Sequence, residues 1–191
     1  MYIPVILGTA RLGRQSEKAA AFMLAQALSF GLESEILDVR DFRLEATDNT
    51  ETTEKARRWE EAVLRADGFI IVSPEYNRGY PGELKMMLDL LFRQYARKPV
   101  AICGVSSGVY GGARMMQQLK TVLIALHMLP LEDAVYFSKV QDLFTEDGTI
   151  KKESYVIHAR KMLEELAWHA MALSKAREQS DQDGARDQKR I

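Results

Sequence analysis

The sequence has one cysteine and almost no net charge. The lone Cys103 excludes an internal disulfide, which is typical of a reducing cytoplasm. Lys plus Arg number 26 and Asp plus Glu 27, so a net charge of −1 offers no bulk attraction for nucleic acid or a membrane surface. No apolar run approaches the roughly 20 residues that span a bilayer, and residues 1–5 lack the pattern of a signal peptide. We expect a cytoplasmic protein that binds neither nucleic acid nor a membrane.

Metal-binding and nucleophile patterns are also missing. His127, His158 and His169 lie far apart in the sequence, so no metal site is predicted. Cys103 lies inside an apolar run, which predicts a small buried side chain rather than a nucleophile.

Short apolar runs alternate with helical patterns along the chain, as in a parallel sheet crossed by helices. The expected strands are residues 2–7, 35–39, 69–73, 99–105 and 131–137. A helix is predicted after each strand, the last over residues 152–175. Because right-handed crossovers place helices on both faces, we predict an α/β, flavodoxin-like three-layer sandwich. Its five-stranded parallel sheet would have the order 2-1-3-4-5.

The length of 191 residues suits one domain with a sizeable core. We predict that this domain spans residues 1–176. Residues 177–191 are charged and almost without apolar side chains, which predicts a disordered tail rather than a binding arm.

The third predicted helix, residues 82–95, has more apolar residues than one core face needs. They are Leu84, Met86, Met87, Leu88, Leu90, Leu91 and Phe92. A subunit interface and a wholly buried helix both explain this pattern.

The most distinctive stretch is residues 73–85, between the third strand and the third helix. Two prolines fix its backbone, and between them lie the carboxylate of Glu75 and the amide of Asn77. Tyr76 and Tyr80 add two phenols. Since parallel sheets bind ligands at the carboxyl ends of their strands, we predict a binding loop rather than a stiff connection.

The loop after the first strand, residues 8–16, leads into a helix whose N-terminus favours an anion. Hydroxyls of Thr9 and Ser16 and guanidinium groups of Arg11 and Arg14 would complete a phosphate site. The loop is neither a nucleotide P-loop, which needs Lys-Ser/Thr at its end, nor a G-x-G-x-x-G dinucleotide turn. A capping turn with solvated arginines is the alternative.

The loop after the fourth strand, residues 106–112, is rich in glycine and serine around Tyr110. Its glycines let the backbone approach a flat ligand, and free amides would donate to ligand carbonyls. Arg114 would place positive charge near an anionic ring. Together the three loops predict a phosphate pocket beside a planar slot, and a phosphorylated flavin fits both.

These loops resemble the signatures of the NADPH-dependent FMN reductase family, which includes quinone, azo and chromate reductases. The family patterns G-S-x-R-x-G-S-x-N, P-E-Y-N-x-x-x-P-G-x-L-K-N-x-x-D and S-x-G-x-x-G-G correspond to residues 8–16, 74–89 and 106–112. The sequence departs from them at Arg14, Ser16 and Met86, where the family has Ser, Asn and Asn.

The resemblance implies an enzyme in which NAD(P)H passes hydride through bound FMN to quinones, free flavin or similar acceptors, with no catalytic side chain. The implied FMN-binding residues are Thr9, Arg11, Arg14, Gln15, Ser16, Pro74, Glu75, Tyr76, Asn77, Ser106, Ser107, Gly108, Gly111 and Gly112. The predicted substrate-binding residues are Tyr80, Tyr110 and Arg114. A homodimer is also implied, and the sequence does not distinguish it from a tetramer.

Two other functions stay open at this point. A flavodoxin-type electron carrier would bind FMN without reacting with NAD(P)H, although the net charge of −1 is unlike such acidic carriers. A non-redox regulatory protein that binds flavin or phosphate is suggested by the departures from the family patterns.

Overall fold

The computed structural model of the chain describes residues 1–42 and 53–188, with side chains as far as residue 180. The strands are β1 (Val5–Leu7), β2 (Ile36–Asp38), β3 (Phe69–Pro74), β4 (Pro99–Val105), β5 (Leu129–Pro130) and β6 (Val135–Phe137). The helices are α1 (Ser16–Ser29), α2 (Glu54–Arg65), α3 (Gly82–Leu88), α4 (Ala113–Ala125), α5 (Val140–Leu143) and α6 (Ser154–Gln188). A 3₁₀ turn, Arg93–Tyr95, lies between α3 and β4.

The strands form one parallel sheet in the order β2-β1-β3-β4, with β5 and β6 both beside β4. β5 pairs with the start of β4, at Pro99 and Val100. β6 pairs with its end, from Cys103 to Val105. Since β5 and β6 share the fifth position, the predicted order 2-1-3-4-5 is confirmed.

The predicted single fifth strand over residues 131–137 was wrong, because the chain leaves the sheet between β5 and β6. Two acidic residues in this excursion form ion pairs with the helices on either side. Glu132 pairs with Lys120 of α4 at 2.8 Å, and Asp133 pairs with Lys161 of α6 at 2.7 Å. These charged residues lie between β5 and β6, where the apolar pattern had predicted a continuous strand.

The core lies on both faces of the sheet, as the continuous apolar runs predicted. Along β3, Ile70 and Val72 pack with α1 and α6, whereas Phe69 and Ile71 pack with α2, α3 and α4. Cys103 is fully buried, as predicted, and burial raises the pKa of its thiol to about 12.

The third helix is shorter than predicted, because α3 ends at Leu88 and a turn follows. Leu90 and Leu91 are buried in this turn against the chain's own core. Of the apolar set that suggested an interface, only Met86 (39% exposed) and Phe92 (47% exposed) face outward.

The last helix, α6, continues to Gln188, past the predicted end near residue 175. Residues 177–188, predicted to belong to a disordered tail, are helical, and residues 189–191 lie outside the described part of the chain. Arg177 donates to the backbone carbonyl of Arg97 at 2.7 Å, which ties this extension to the body. The domain boundary at residue 176 stays a prediction. Among the described helices, none has the length and apolar character to cross a membrane.

Candidate functional site

The three loops that the sequence singled out meet at the carboxyl ends of β1, β3 and β4. We call residues 8–15 the first loop, residues 75–81 the second and residues 106–112 the third. A cleft of about 420 Å³ opens between them. It is lined by Arg11, Leu12, Gly13, Arg14, Gln15, Ser16, Pro74, Glu75, Tyr76, Val105, Ser106, Ser107 and Val140.

A smaller pocket of about 340 Å³ continues from the cleft. It is lined by Glu75, Asn77, Arg78, Ser106, Ser107, Gly108, Tyr110 and Arg114. Glu75, Ser106 and Ser107 line both spaces, which therefore form one continuous site.

The guanidinium group of Arg14 lies under the first loop and joins it to β2. It donates to the carbonyl of Thr9 at 2.5 Å and forms a two-pronged ion pair with Asp38. Burial opposes the charge on the Asp38 carboxylate, but the hydrogen bonds from Arg14 and from the Arg40 amide prevail and lower its pKa. The Nη atoms of Arg14 are thus occupied by protein groups.

Arg40 is a second support of the first loop. Its guanidinium group donates to the carbonyls of Ala10 at 3.2 Å and Arg11 at 2.6 Å. Sequence reasoning missed both Arg40 and Asp38. The sequence did contain a signal for them, because the predicted strand order places the end of β2 beside the first loop. Polar residues at that end could have been expected to contact the loop.

Two buried polar side-chain atoms at the start of α1 have no hydrogen-bond partner, and they are the only such atoms among the described side chains. They are Nε of Arg14 and Oγ of Ser16. One of them, Arg14 Nε, lies 3.7 Å from the exposed carboxylate of Glu17, a longer ion-pair contact. Gln15, at the N-cap, makes no side-chain hydrogen bond to the first amides of α1, although the amide of Lys18 donates to the Gln15 carbonyl at 3.2 Å. Because buried polar groups are nearly always hydrogen-bonded, this end of the cleft suits a bound anion.

Thr9 and Tyr76 connect the first loop to the second. The Thr9 hydroxyl lies 3.3 Å from the Tyr76 hydroxyl and accepts from the amide of Arg11 at 3.3 Å. The exposed guanidinium group of Arg11 lies 5.3 Å from the centre of the Tyr76 ring. Thr9 itself is fully buried behind the cleft.

The second loop contains a tight turn with Asn77 and Arg78 at its tip. Tyr76 and Gly79 exchange two backbone hydrogen bonds, each of 2.9 Å. The φ angles of 51° at Asn77 and 67° at Arg78 identify a type I′ turn. Tyr80 packs partly buried against the core and lines neither space, so the structure does not bring it to the site with Tyr110.

The third loop depends on Gly111 and Gly112 for its shape. Both have left-handed backbone, with φ of 57° and 86°. A Cβ atom would lie 2.7 Å from Tyr136 Cβ at Gly111 and 2.9 Å from Gly104 Cα at Gly112. Both glycines are buried and line neither space. The sequence predicted that they contact the cofactor, but in the structure they pack against other parts of the protein. Ser106, Ser107 and Gly108, in contrast, reach the site.

The sequence of the whole site region matches a known family. The family model for NADPH-dependent FMN reductase matches residues 1–142, which include all three loops. The chain belongs to the NADPH-dependent FMN reductase family. It is accordingly an oxidoreductase that uses FMN and NAD(P)H, which confirms the enzyme class and cofactors predicted from the sequence.

Curated relatives agree with this membership. An NAD(P)H-dependent FMN reductase of Nectria sp is 31% identical over 171 residues, covering 80% of this chain and 84% of the relative. A 2-hydroxy-1,4-benzoquinone reductase of Burkholderia sp is 31% identical over 159 residues, covering 79% of this chain and 86% of the relative.

Solved structures show the same fold at low sequence identity. The flavoenzyme FerB, an NAD(P)H:acceptor oxidoreductase of Paracoccus denitrificans, superposes with a TM-score of 0.73 at 21% identity, over 91% of this chain and 97% of that one. A flavodoxin of Streptococcus pneumonia TIGR4 gives a TM-score of 0.57 at 15% identity, over 87% of this chain and 98% of that one. The predicted flavodoxin-like fold is confirmed.

Proposed function

We propose that the cleft binds FMN with its phosphate at the start of α1, and that the enzyme reduces quinones, free flavin or similar small acceptors. The observation that carries this placement is the pair of buried atoms without a hydrogen-bond partner, Ser16 Oγ and Arg14 Nε. Phosphate oxygens accept hydrogen bonds from both groups, and a dianion is favoured at the N-terminus of a helix. A capping turn alone would leave these atoms unsatisfied.

Charge at the phosphate end comes from two arginines in different states. Arg14 is already neutralised by Asp38 and offers one fixed Nε–H. Arg11 is exposed at the mouth of the cleft, where its guanidinium group reaches over Tyr76. Arg11 therefore supplies the free positive charge, and Gln15 an amide beside it.

The ring end of the proposed site is formed by the second and third loops. Pro74 and Tyr76 line one side of the cleft, and Ser106 and Ser107 line the other. Gly108 and Asn77 extend these walls into the smaller pocket. Each space has a volume within or near the range of small-molecule sites. We place the polar edge of the flavin ring against the backbone of Ser107 and Gly108.

The chemistry that bound FMN would supply is the transfer of two electrons, taken as hydride from NAD(P)H, to an acceptor. The residues of the cleft then need only to bind and orient the reactants. Glu75 lines the cleft, but its carboxylate is held by Arg114 and by two backbone amides. It serves the architecture of the site rather than proton transfer.

Quinones are the acceptors we favour because the relatives of this chain include reductases named for quinones. The 340 Å³ pocket beside the cleft would take such small planar molecules after the oxidised nicotinamide nucleotide has left. The exposed ring of Tyr110 would form its outer wall.

A homodimer in the cytoplasm completes the proposal. A subunit interface was predicted on seven apolar residues of the third predicted helix, and of these only Met86 and Phe92 are exposed. The buried, unpaired Cys103 is compatible with a reducing compartment. Light scattering of the purified protein would distinguish a monomer, a dimer and a tetramer.

The direct test is the visible spectrum of the full chain after FMN loading and removal of excess, followed by anaerobic NADPH and then 1,4-benzoquinone. We expect flavin bands that bleach with NADPH and return with the quinone. Bands that persist with NADPH would favour an electron carrier. A protein without bands would favour a non-redox role and would exclude FMN from the cleft.

A further inference from the structure

We propose that Arg78 binds a phosphate group of the reductant NADPH in the smaller pocket. The inference rests on the proposed function, because this pocket continues the cleft assigned to FMN through Glu75, Ser106 and Ser107. Arg78 would thereby help to choose the reductant, a role that the family patterns do not assign to it.

Arg78 occupies a backbone position that favours glycine. Its φ of 67° lies in the left-handed region, directly after Asn77 at 51°. Such conformations are uncommon for residues other than glycine and asparagine, and they often occur at binding sites. The turn is fixed by the hydrogen bonds between Tyr76 and Gly79, so the Arg78 side chain projects from a rigid base.

The guanidinium group of Arg78 is available to a ligand. Within the described side chains it makes no hydrogen bond, ion pair or ring contact, and the residue is exposed at the pocket. Arg114, the other arginine of the pocket, is paired with Glu75. Arg78 therefore gives the pocket an uncompensated positive charge, close to the amide of Asn77 and the hydroxyl of Ser107. Arginine beside neutral hydrogen-bonding groups is a typical phosphate site.

The reductant is the ligand whose charge fits this pocket. The proposed function places the FMN phosphate at Ser16, on the side of the cleft formed by the first loop. NADPH brings further phosphates, whereas 1,4-benzoquinone carries no charge. Tyr110 is 62% exposed beside Arg78, and the Arg114 guanidinium lies 5.1 Å from its ring centre. This ring offers a face on which a base of the nucleotide would stack.

The test compares FMN-loaded wild type and Arg78→Gln with four hydride donors, following flavin bleaching anaerobically. The donors are NADPH, NADH, reduced nicotinamide mononucleotide and 1-benzyl-1,4-dihydronicotinamide, of which the last has no phosphate. We expect the half-saturating NADPH concentration to rise about tenfold, the effect of one charge-assisted hydrogen bond. The benzyl donor and the Kd of FMN should be unchanged.

The donor series also identifies the phosphate. If Arg78→Gln raises the half-saturating concentration of NADPH alone, Arg78 contacts the 2′-phosphate. If it raises those of NADPH and NADH equally, Arg78 contacts the pyrophosphate. Arg78→Lys should recover part of the loss, whereas Arg93→Gln, an exposed arginine in the turn after α3, should leave every donor unchanged.

The assignment of Arg78 would be overturned if Arg78→Gln weakened the benzyl donor as much as the nucleotides, or if it weakened none of the nucleotides. These outcomes leave FMN binding and flavin reduction by the wild type intact. Failure of every donor to bleach the wild type would instead overturn the proposed function, and the Arg78 subsite with it.

Discussion

Glu75 accepts hydrogen bonds from both the side chain and the backbone of Arg114, at 2.7 and 3.2 Å, and so joins the second loop to the start of α4. A third bond comes from the amide of Met115 at 3.4 Å. The Glu75 side chain is only 6% exposed, while that of Arg114 is 50% exposed. The carboxylate thus caps a helix and fixes the third loop against the second.

We expect Glu75→Gln to loosen this connection, because the amide loses the charge that suits the helix N-terminus. The free energy of unfolding should fall by about 1 kcal/mol, the typical cost of a lost cap. The Kd of FMN should rise several-fold as the third loop loses its anchor. Urea unfolding and fluorescence titration with FMN measure the two effects.

Lys85→Gln provides the matched control for Glu75→Gln. Lys85 forms an ion pair with Asp89 on the outside of α3, and both side chains are more than a third exposed. Such pairs contribute about 0.3–0.5 kcal/mol. An equally small effect at Glu75 would show that its ion pair is screened by solvent and does not anchor the loop.

The variant Ser16→Ala tests the contact with the FMN phosphate separately from contacts with the rest of the flavin. The Ser16 hydroxyl is buried without a partner, so its loss should leave the stability of the FMN-free protein unchanged or slightly raised. A hydrogen bond to a charged group contributes about 1.5–3 kcal/mol, so the Kd of FMN should rise at least about tenfold. The Kd of riboflavin, which has no phosphate, should stay the same.

Ser29→Ala, at the exposed last residue of α1, should change neither affinity. If Ser16→Ala weakened FMN and riboflavin equally, the phosphate would lie elsewhere.

The fold and the position of the site could be predicted because both follow from local patterns. β3 and β4 are buried on both faces, so their residues form continuous apolar runs. The crossover rule places helices on both faces, and five such units suggest the order 2-1-3-4-5, which brings the three loops to one edge of the sheet.

The direction of individual side chains could not be predicted, because it depends on partners far away in sequence. Arg14 was expected to point at phosphate, yet Asp38, which lies 24 residues away, holds its Nη atoms. Gly111 was expected to meet the cofactor, but its missing Cβ makes room for Tyr136. The spacing of glycines in a sequence does not show whether the space left by a missing Cβ is filled by a ligand or by a residue of another strand.

Lys98 predicts an unusual dependence of stability on pH. Its ammonium group is buried at the end of α2 and donates to the carbonyls of Val63 and Leu64. Burial, and then the nearby charge of Arg177, lower its pKa to about 8, against an ordinary lysine value of 10.5. Between these values the unfolded chain binds a proton that the native chain has lost, so Lys98 contributes stability that rises with pH.

We therefore expect the free energy of unfolding of the wild type minus that of Lys98→Met to increase from about pH 8 to about pH 10. Taking the difference removes the contributions that the two proteins have in common. Lys175→Met, which removes an exposed lysine of α6, should give a flat difference. A flat difference for Lys98 as well would mean that its ammonium stays charged throughout.

Asp38 should control both the acid stability of the protein and its response to FMN. Its lowered pKa means that its stabilising contribution is present above the unfolded value of about 4 and is lost as the pH falls through the lower native value. Asp38→Asn removes the two-pronged counterion of the buried Arg14 guanidinium and leaves it only the longer contact with Glu17 at 3.7 Å, so we expect a loss of about 3 kcal/mol at pH 7. This loss should shrink towards pH 3, where the wild-type carboxyl also becomes protonated.

Asp38→Asn also tests whether the phosphate of FMN meets Arg14. In the variant the Nη atoms of Arg14 lose their carboxylate, and Glu17 contacts only Nε, at 3.7 Å. A phosphate would then compensate more of the guanidinium charge, so saturating FMN should raise the Tm of Asp38→Asn more than that of the wild type. Asp41→Asn removes an exposed carboxylate from the turn after β2 and should show the wild-type shift. Equal shifts in all three proteins would mean that Arg14 supports the first loop without contacting the phosphate, which would leave Arg11, Ser16 and the helix N-terminus to hold it.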